Sequence, residues 1–263
     1  MSDGGQVTAA DLNIYKQATV RLHVSGDGML LLGDASTVGS ISNSGKLSVM
    51  ADAFLPAGTY RPIGGYGDRS VSWSGSGSLS VVGGVWDSNT STFSVIAPMS
   101  VNAGTSPVIT SGRRLLIRDP ASGERAGVSF GSLTSGKSLA SLPITQSERA
   151  ALLPLLNSNE MILSGWDFEG QLAGGEALVS FGIGSGAEEV RVWRRAQNGW
   201  GECAPEMLTY DSKGIVSFTV DPGSLNGGYA VSGVVPEPMG LGMLMVAAGM
   251  GLMRRRAMIF GHG

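Results

Sequence analysis

Glu189-Val190-Arg191-Val192-Trp193-Arg194-Arg195 largely alternates apolar and charged side chains, and it runs on to Asn198-Gly199 and Trp200. A period of two puts one set of side chains on each face of an extended chain, so the stretch reads as a half-buried strand. Asn-Gly is the favoured pair for a two-residue hairpin turn, because both positions must accept positive φ. Trp200 therefore begins a return strand. Downstream, Leu208-Thr209-Tyr210 is followed by the turn Asp211-Ser212-Lys213-Gly214. Val216, Phe218 and Val220 then alternate with Ser217 and Thr219, and Gly228-Tyr229-Ala230-Val231-Ser232 closes the series. This end of the chain reads as all-β, with the strand-and-turn spacing of a sandwich.

The same grammar extends toward the N-terminus. Leu30 to Leu32, Leu47 to Met50, Val71 to Trp73, Leu79 to Val82 and Phe93 to Ile96 are short apolar runs. Ser25-Gly26-Asp27-Gly28, Ser42-Asn43-Ser44-Gly45 and Asp87-Ser88-Asn89 separate them with turn chemistry. Val82 to Val95 reads as a hairpin, with Trp86 and Phe93 flanking its polar turn. Leu115 to Arg118 and Ala126 to Phe130 are further strands around Asp119-Pro120-Ala121-Ser122-Gly123. One helix is expected, from about Gln146 to Leu153: Thr145 and Glu148 have the spacing of a capping box, and Pro154 limits its length. The body is expected in two parts, an N-terminal β domain over 18–112 and a β-sandwich over 113–233, behind a polar segment over 1–17. The stretch Gly39-Ser40-Ile41-Ser42-Asn43-Ser44-Gly45-Lys46-Leu47-Ser48-Val49 resembles a rung of secreted right-handed β-helices, so the first domain is expected to be a sandwich or β-helix-like.

Glycine supplies 41 of 263 residues, charged residues only 15%, and the net charge is −3. That balance fits turn-rich β structure, and with no basic patch in the body nucleic acid is excluded as a partner. Side chains for chemistry are scarce. Histidine occurs only as His23 and His262, and cysteine only as Cys203. This disfavours zinc, so no metal or cofactor is expected. Cys203 is expected to be a small buried or half-buried strand residue. Gly127-Val128-Ser129-Phe130-Gly131 has the letters of a nucleophile elbow, but no helix signal follows it directly, so it reads as a strand end. His23 reads as a half-exposed strand residue. Asp167 and Glu169 share one strand face, the minimum that a glycosidase requires, though a solvated face explains them as well. Asp27, Asp34 and Asp68 sit in Gly-rich turns without the spacing of an EF-hand. Trp73, Trp86, Trp166, Trp193 and Trp200 all lie in or beside strands, where they either fill a core or stack on sugar rings.

The last stretch is of a different kind. Val235-Pro236-Glu237-Pro238 leads into fifteen uncharged residues, Met239 to Met253, closed by Arg254, Arg255 and Arg256. The prolines favour an extended, accessible chain. As a helix the apolar run spans about 22 Å at ~1.5 Å per residue, short of a hydrocarbon core about 30 Å thick. The arginines should stay on the cytoplasmic side, which puts the body across the membrane. These parts together resemble the PEP-CTERM sorting signal. The order of strands from Trp166 to Gly233 likewise resembles a β-sandwich module often found just before that tail, a module with no activity to carry over. The resemblance implies a C-terminal transmembrane helix, an exosortase as processing partner, and export through the inner membrane to the cell surface or beyond. No secretory leader is legible over residues 1–24, so one is expected upstream of Met1 or already removed. The resulting expectation is a non-enzymatic structural or adhesive scaffold, with exopolysaccharide as a candidate partner. The alternative is a secreted carbohydrate-binding or carbohydrate-active β protein.

Overall fold

The computed structural model describes residues 6–9, 11–25, 29–33, 35–65, 67, 69–134 and 137–236. It is mostly β-strand, with one short α-helix. The first part is a stack of three coils, each of three strands. The first coil holds β1 (Gln6–Ala9), β2 (Asp11–Ile14) and β3 (Thr19–Val24). The second holds β4 (Met29–Leu32), β5 (Ser40–Asn43) and β6 (Lys46–Ala51). After β7 (Gly58–Tyr60), the third holds β8 (Ile63–Gly65), β9 (Ser72–Ser74) and β10 (Ser78–Val82). Corresponding strands pair in parallel from coil to coil, the arrangement of a short β-helix.

Parallel in-register pairing stacks like on like. Leu12, Ile41 and Trp73 form one column, and Leu22, Val49 and Val81 another. Ile14, Leu32, Ile41, Leu47, Val49, Ile63 and Val71 fill the interior of the coils. Residues 6–14, within the stretch 1–17 expected as a polar segment ahead of the domains, thus supply two strands of the first coil. Hairpin β11 (Val85–Asp87) and β12 (Thr92–Val95) pairs antiparallel with β7 and sets Trp86 opposite Phe93.

The second part is two six-stranded sheets face to face. One runs β13 (Met99–Asn102), β15 (Arg114–Arg118), β16 (Arg125–Phe130), β19 (Ala177–Gly182), β23 (Ile215–Val220) and β22 (Leu208–Tyr210). The other runs β14 (Val108–Ile109), β17 (Lys137–Pro143), β18 (Met161–Gly170), β24 (Gly227–Val234), β20 (Glu188–Ala196) and β21 (Gly199–Cys203). Both β13 and β14 belong to the sandwich, although they precede the expected division at 112/113. Alternation does the packing: Val128, Phe130, Val179, Phe181, Val216 and Phe218 face Trp166, Phe168, Val192, Tyr229 and Val231 across the core. Each fully buried large side chain contributes about 1.5–3 kcal/mol. The hairpin forms one residue earlier than expected: Gln197 and Asn198 make the turn, Gly199 pairs with Ala196, and of these only Gly199 has positive φ, 102°.

Helix α1 (Gln146–Leu152) forms where the capping box lies. Thr145 accepts from the Glu148 backbone N–H at 3.3 Å, and Glu148 reaches back to the Thr145 N–H at 2.6 Å. A 3-10 turn over Leu153–Leu155 follows, with Pro154 inside it. Leu152 packs with Ile144, Trp193 and Ala230 on the outer face of the second sheet. No described helix is long and apolar enough to cross a membrane. The run Met239 to Met253 lies outside the described residues.

Candidate functional site

The coil stack docks against the outer face of the first sheet, and a cluster of charged side chains sits at that seam. Met50 and Val82 leave the stack and meet Leu178 and Met207 of the sandwich. Beside them Glu176 accepts from Arg21 Nη2 at 2.9 Å, from Lys46 Nζ at 2.8 Å and from Ser48 Oγ at 2.7 Å. Arg21 also pairs with Glu206. Burial raises the Glu176 carboxyl, but its cationic and hydroxyl donors outweigh burial and leave it below the usual range.

Arg114 closes the seam from the sandwich side. It is 1% exposed, and its guanidinium donates to the carbonyls of Ile96, Asp52 and Leu55. Burial pushes its pKa down, and Asp52 and Tyr60 offset part of that. Two chain segments, 52–55 and the one at Ile96, are held by one side chain. Its strand neighbour Arg113 is exposed, so the pair Arg113-Arg114 looks in sequence like two surface charges.

His23 belongs to the same seam. Its Nε2 lies 3.1 Å from Asp52 Oδ2 and its Nδ1 3.0 Å from Thr209 Oγ1. Asp52 Oδ1 accepts from the Phe54 and Leu55 backbone N–H groups. The expected half-exposed side chain is 7% exposed, because the sandwich covers it. These are the letters of a nucleophile, a base and an orienting carboxylate. The group is packed between the two parts and fixes their register.

Ser129 of the elbow-like motif is a fully buried residue inside β16, as a strand reading requires. Asp167 and Glu169 do share β18, but they do not converge on one groove. Asp167 accepts from Arg195 at 2.8 Å, and Arg195 also pairs with Glu148 of the helix. Burial, with Glu169 nearby, holds the Asp167 carboxyl above its ordinary value. Glu169 lines a separate shallow groove with Lys137, Gln171 and Asn226, and no tryptophan lines it. Among the described residues no group of three or more His, Cys, Asp or Glu could hold a metal ion.

The tryptophans go mainly to packing. Trp166 lies in the sandwich core, and Trp193 under the helix donates to Ser232 Oγ at 2.7 Å. Trp200 is half-buried and donates to the Glu148 carbonyl. Trp73 and Trp86 meet edge to face, 5.9 Å apart at 61°, against the interior of the coils. They border a dent of only about 170 Å³ and offer no flat platform.

Glu160 anchors a further polar cluster behind Trp193. It is 2% exposed and receives Arg191, Ser232 Oγ and the Asn157 N–H. Arg191 above all, against the opposing effect of burial and with help from Ser232 and Asn157, holds its pKa down to about 2.

A cleft of about 500 Å³ lies between the coil stack and the β20–β21 edge of the sandwich. Arg194, Cys203, Asp221 and Tyr229 line its sandwich wall, and Arg21 and Lys46 its other wall. Cys203 is half-buried and free. Sequence reasoning passed over Arg194. The available signal was its parity: it has the same parity as Val192, which is buried in the core, and not that of Trp193.

Strand β24 ends at Val234, and Val235 and Pro236 follow it as exposed chain. Glu237, Pro238, Arg254, Arg255, Arg256, Asp27, Asp34, Asp68 and His262 lie outside the described residues. Comparisons with family models, with curated proteins and with solved structures found no match to this chain.

Proposed function

We propose that this chain is an exported cell-envelope or matrix protein, a non-enzymatic β scaffold sorted by an exosortase. The tail carries the reading: a proline-bounded acidic motif at Pro236, Glu237 and Pro238, an uncharged run from Met239 to Met253, and Arg254, Arg255 and Arg256. In this reading the apolar run is a transmembrane helix that anchors the chain until it is cut. Arginine snorkelling and local bilayer thinning make up for its short length.

Two features of the body favour a scaffold. The motif starts two residues beyond the last strand, so a protease could reach it without opening the sandwich. The carboxylates that a glycosidase would use are split, Asp167 being tied to Arg195 and Glu169 facing another groove. Cell fractionation of a host that makes an exosortase tests the reading. Wild-type chain should leave the inner membrane for the surface or medium, while replacing Pro236, Glu237 and Pro238 by alanine should trap it in the inner membrane. Equal distribution of the two forms would sink the proposal.

A further inference from the structure

The cleft between the coil stack and the sandwich, about 500 Å³ in volume, is in the usual size range of small-ligand sites, roughly 300–1,000 Å³. Four of its charges satisfy one another, Arg21 and Lys46 against Glu176 and Glu206. Arg194 stands apart from them. It shares its face of β20 with the core residue Val192, so it points between the two sheets where they open. Pairing places it between Tyr229 and Gly201.

The guanidinium carbon lies 5.9 Å from the centre of the Tyr229 ring. On the other side is space: a Cβ built on Gly201 meets nothing within 4 Å. The buried Nε of Arg194 has no hydrogen-bond partner, and the side chain has no ion pair among the described residues. A half-buried guanidinium, with five donors in a planar fork, is costly to leave unfilled, and its geometry matches a carboxylate.

The other groups narrow the ligand further. Asp221 uses Oδ1 to cap Gly223 at 2.8 Å and keeps Oδ2 as an acceptor. With Glu176 and Glu206 neutralised by Arg21 and Lys46, the open charges of the cleft are Arg194 and Asp221: one cation for a single carboxylate, too few for a doubly charged phosphate, and one carboxylate to accept hydroxyl donors. We propose that this cleft binds a uronate unit of an acidic glycan, its carboxylate on Arg194 and its ring hydroxyls on Asp221. The site does not depend on how the chain is sorted, so it stands or falls separately from the tail.

Calorimetric titration of the full chain in detergent tests it, with a galacturonate trimer, the methyl ester of that trimer, and citrate. The acid should bind roughly tenfold or more tighter than the ester, as expected for a charge-assisted contact. Citrate should compete poorly. Arg194→Met should abolish the preference for acid at an unchanged melting temperature. Gly201→Phe, which fills the open space and leaves the guanidinium in place, should abolish binding as a second, independent block. The proposal is overturned if the trimer does not bind, if acid and ester bind alike, if citrate competes equally, or if either folded variant binds the acid as the wild type does.

Discussion

Replacing Arg114 by methionine should be among the most damaging single changes available in this protein. The side chain is 1% exposed and donates to the carbonyls of Ile96, Asp52 and Leu55. Methionine fills much of the same volume but donates to none of them. The buried carbonyls of Asp52 and Leu55 and the part-buried carbonyl of Ile96 then lose this donor, at about 1–3 kcal/mol for each buried one. Removing a buried charge returns part of its desolvation penalty, which brings the net loss to about 3–5 kcal/mol. For a chain of this size that lowers the melting temperature by roughly 10 °C. Urea denaturation followed by tryptophan fluorescence measures the loss, with Arg113→Met as control. Arg113 is exposed, so its replacement should stay within about 0.5 kcal/mol of wild type. The coil stack should also begin to unfold before the sandwich, because the lost bonds join the two. An Arg114→Met protein within about 1 kcal/mol of wild type, or one indistinguishable from the control, would refute this account of the seam.

Glu160 ties stability to pH, because its folded pKa of about 2 lies below the ordinary 4.5. The resulting stabilisation is fully present above pH 4.5 and fades as pH falls toward 2, up to about 3 kcal/mol. Denaturation midpoints of wild type and Glu160→Gln should therefore converge across that window; a constant gap between them would contradict the assignment. Gly127→Leu should wedge the seam, since a Cβ there would stand 2.5 Å from the Ala53 Cβ, at a cost of about 1–3 kcal/mol. Faster amide exchange over Lys46–Ala51 should accompany that loss, and unchanged exchange would mean that the two parts do not press together at Gly127.

The sandwich and the helix were legible because their signals are local. Asn198-Gly199 marks a hairpin to within one residue of where its turn falls, the alternation of Val216, Phe218 and Val220 dictates a face, and Thr145 with Glu148 caps a helix whatever lies around it. The coil stack was harder to read. Its strands run three to six residues, and each pairs with a partner from another coil, as Lys46 does with Thr19 and Ser78. Nothing within one strand announces a partner so far away. The first coil looked polar because Asp11 and Asn13 alternate with Leu12 and Ile14, and only the stack shows which set turns inward. The seam was invisible for a related reason. Arg114, Glu176 and His23 are ordinary polar strand or loop residues until a second sheet covers them. Arg194 could have been found, since a charge at a core parity next to Val192 asks for a reason. The tail reading rests on the sequence alone, since its residues from Glu237 onward lie outside the described residues.

The intact mass of the mature protein, isolated from a host that makes an exosortase, tests the central claim most directly. The account predicts a chain that ends near Pro236-Glu237-Pro238 and lacks Met239 to Met253 together with Arg254, Arg255 and Arg256. A mature chain from such a host that still ends at Gly263 would contradict it.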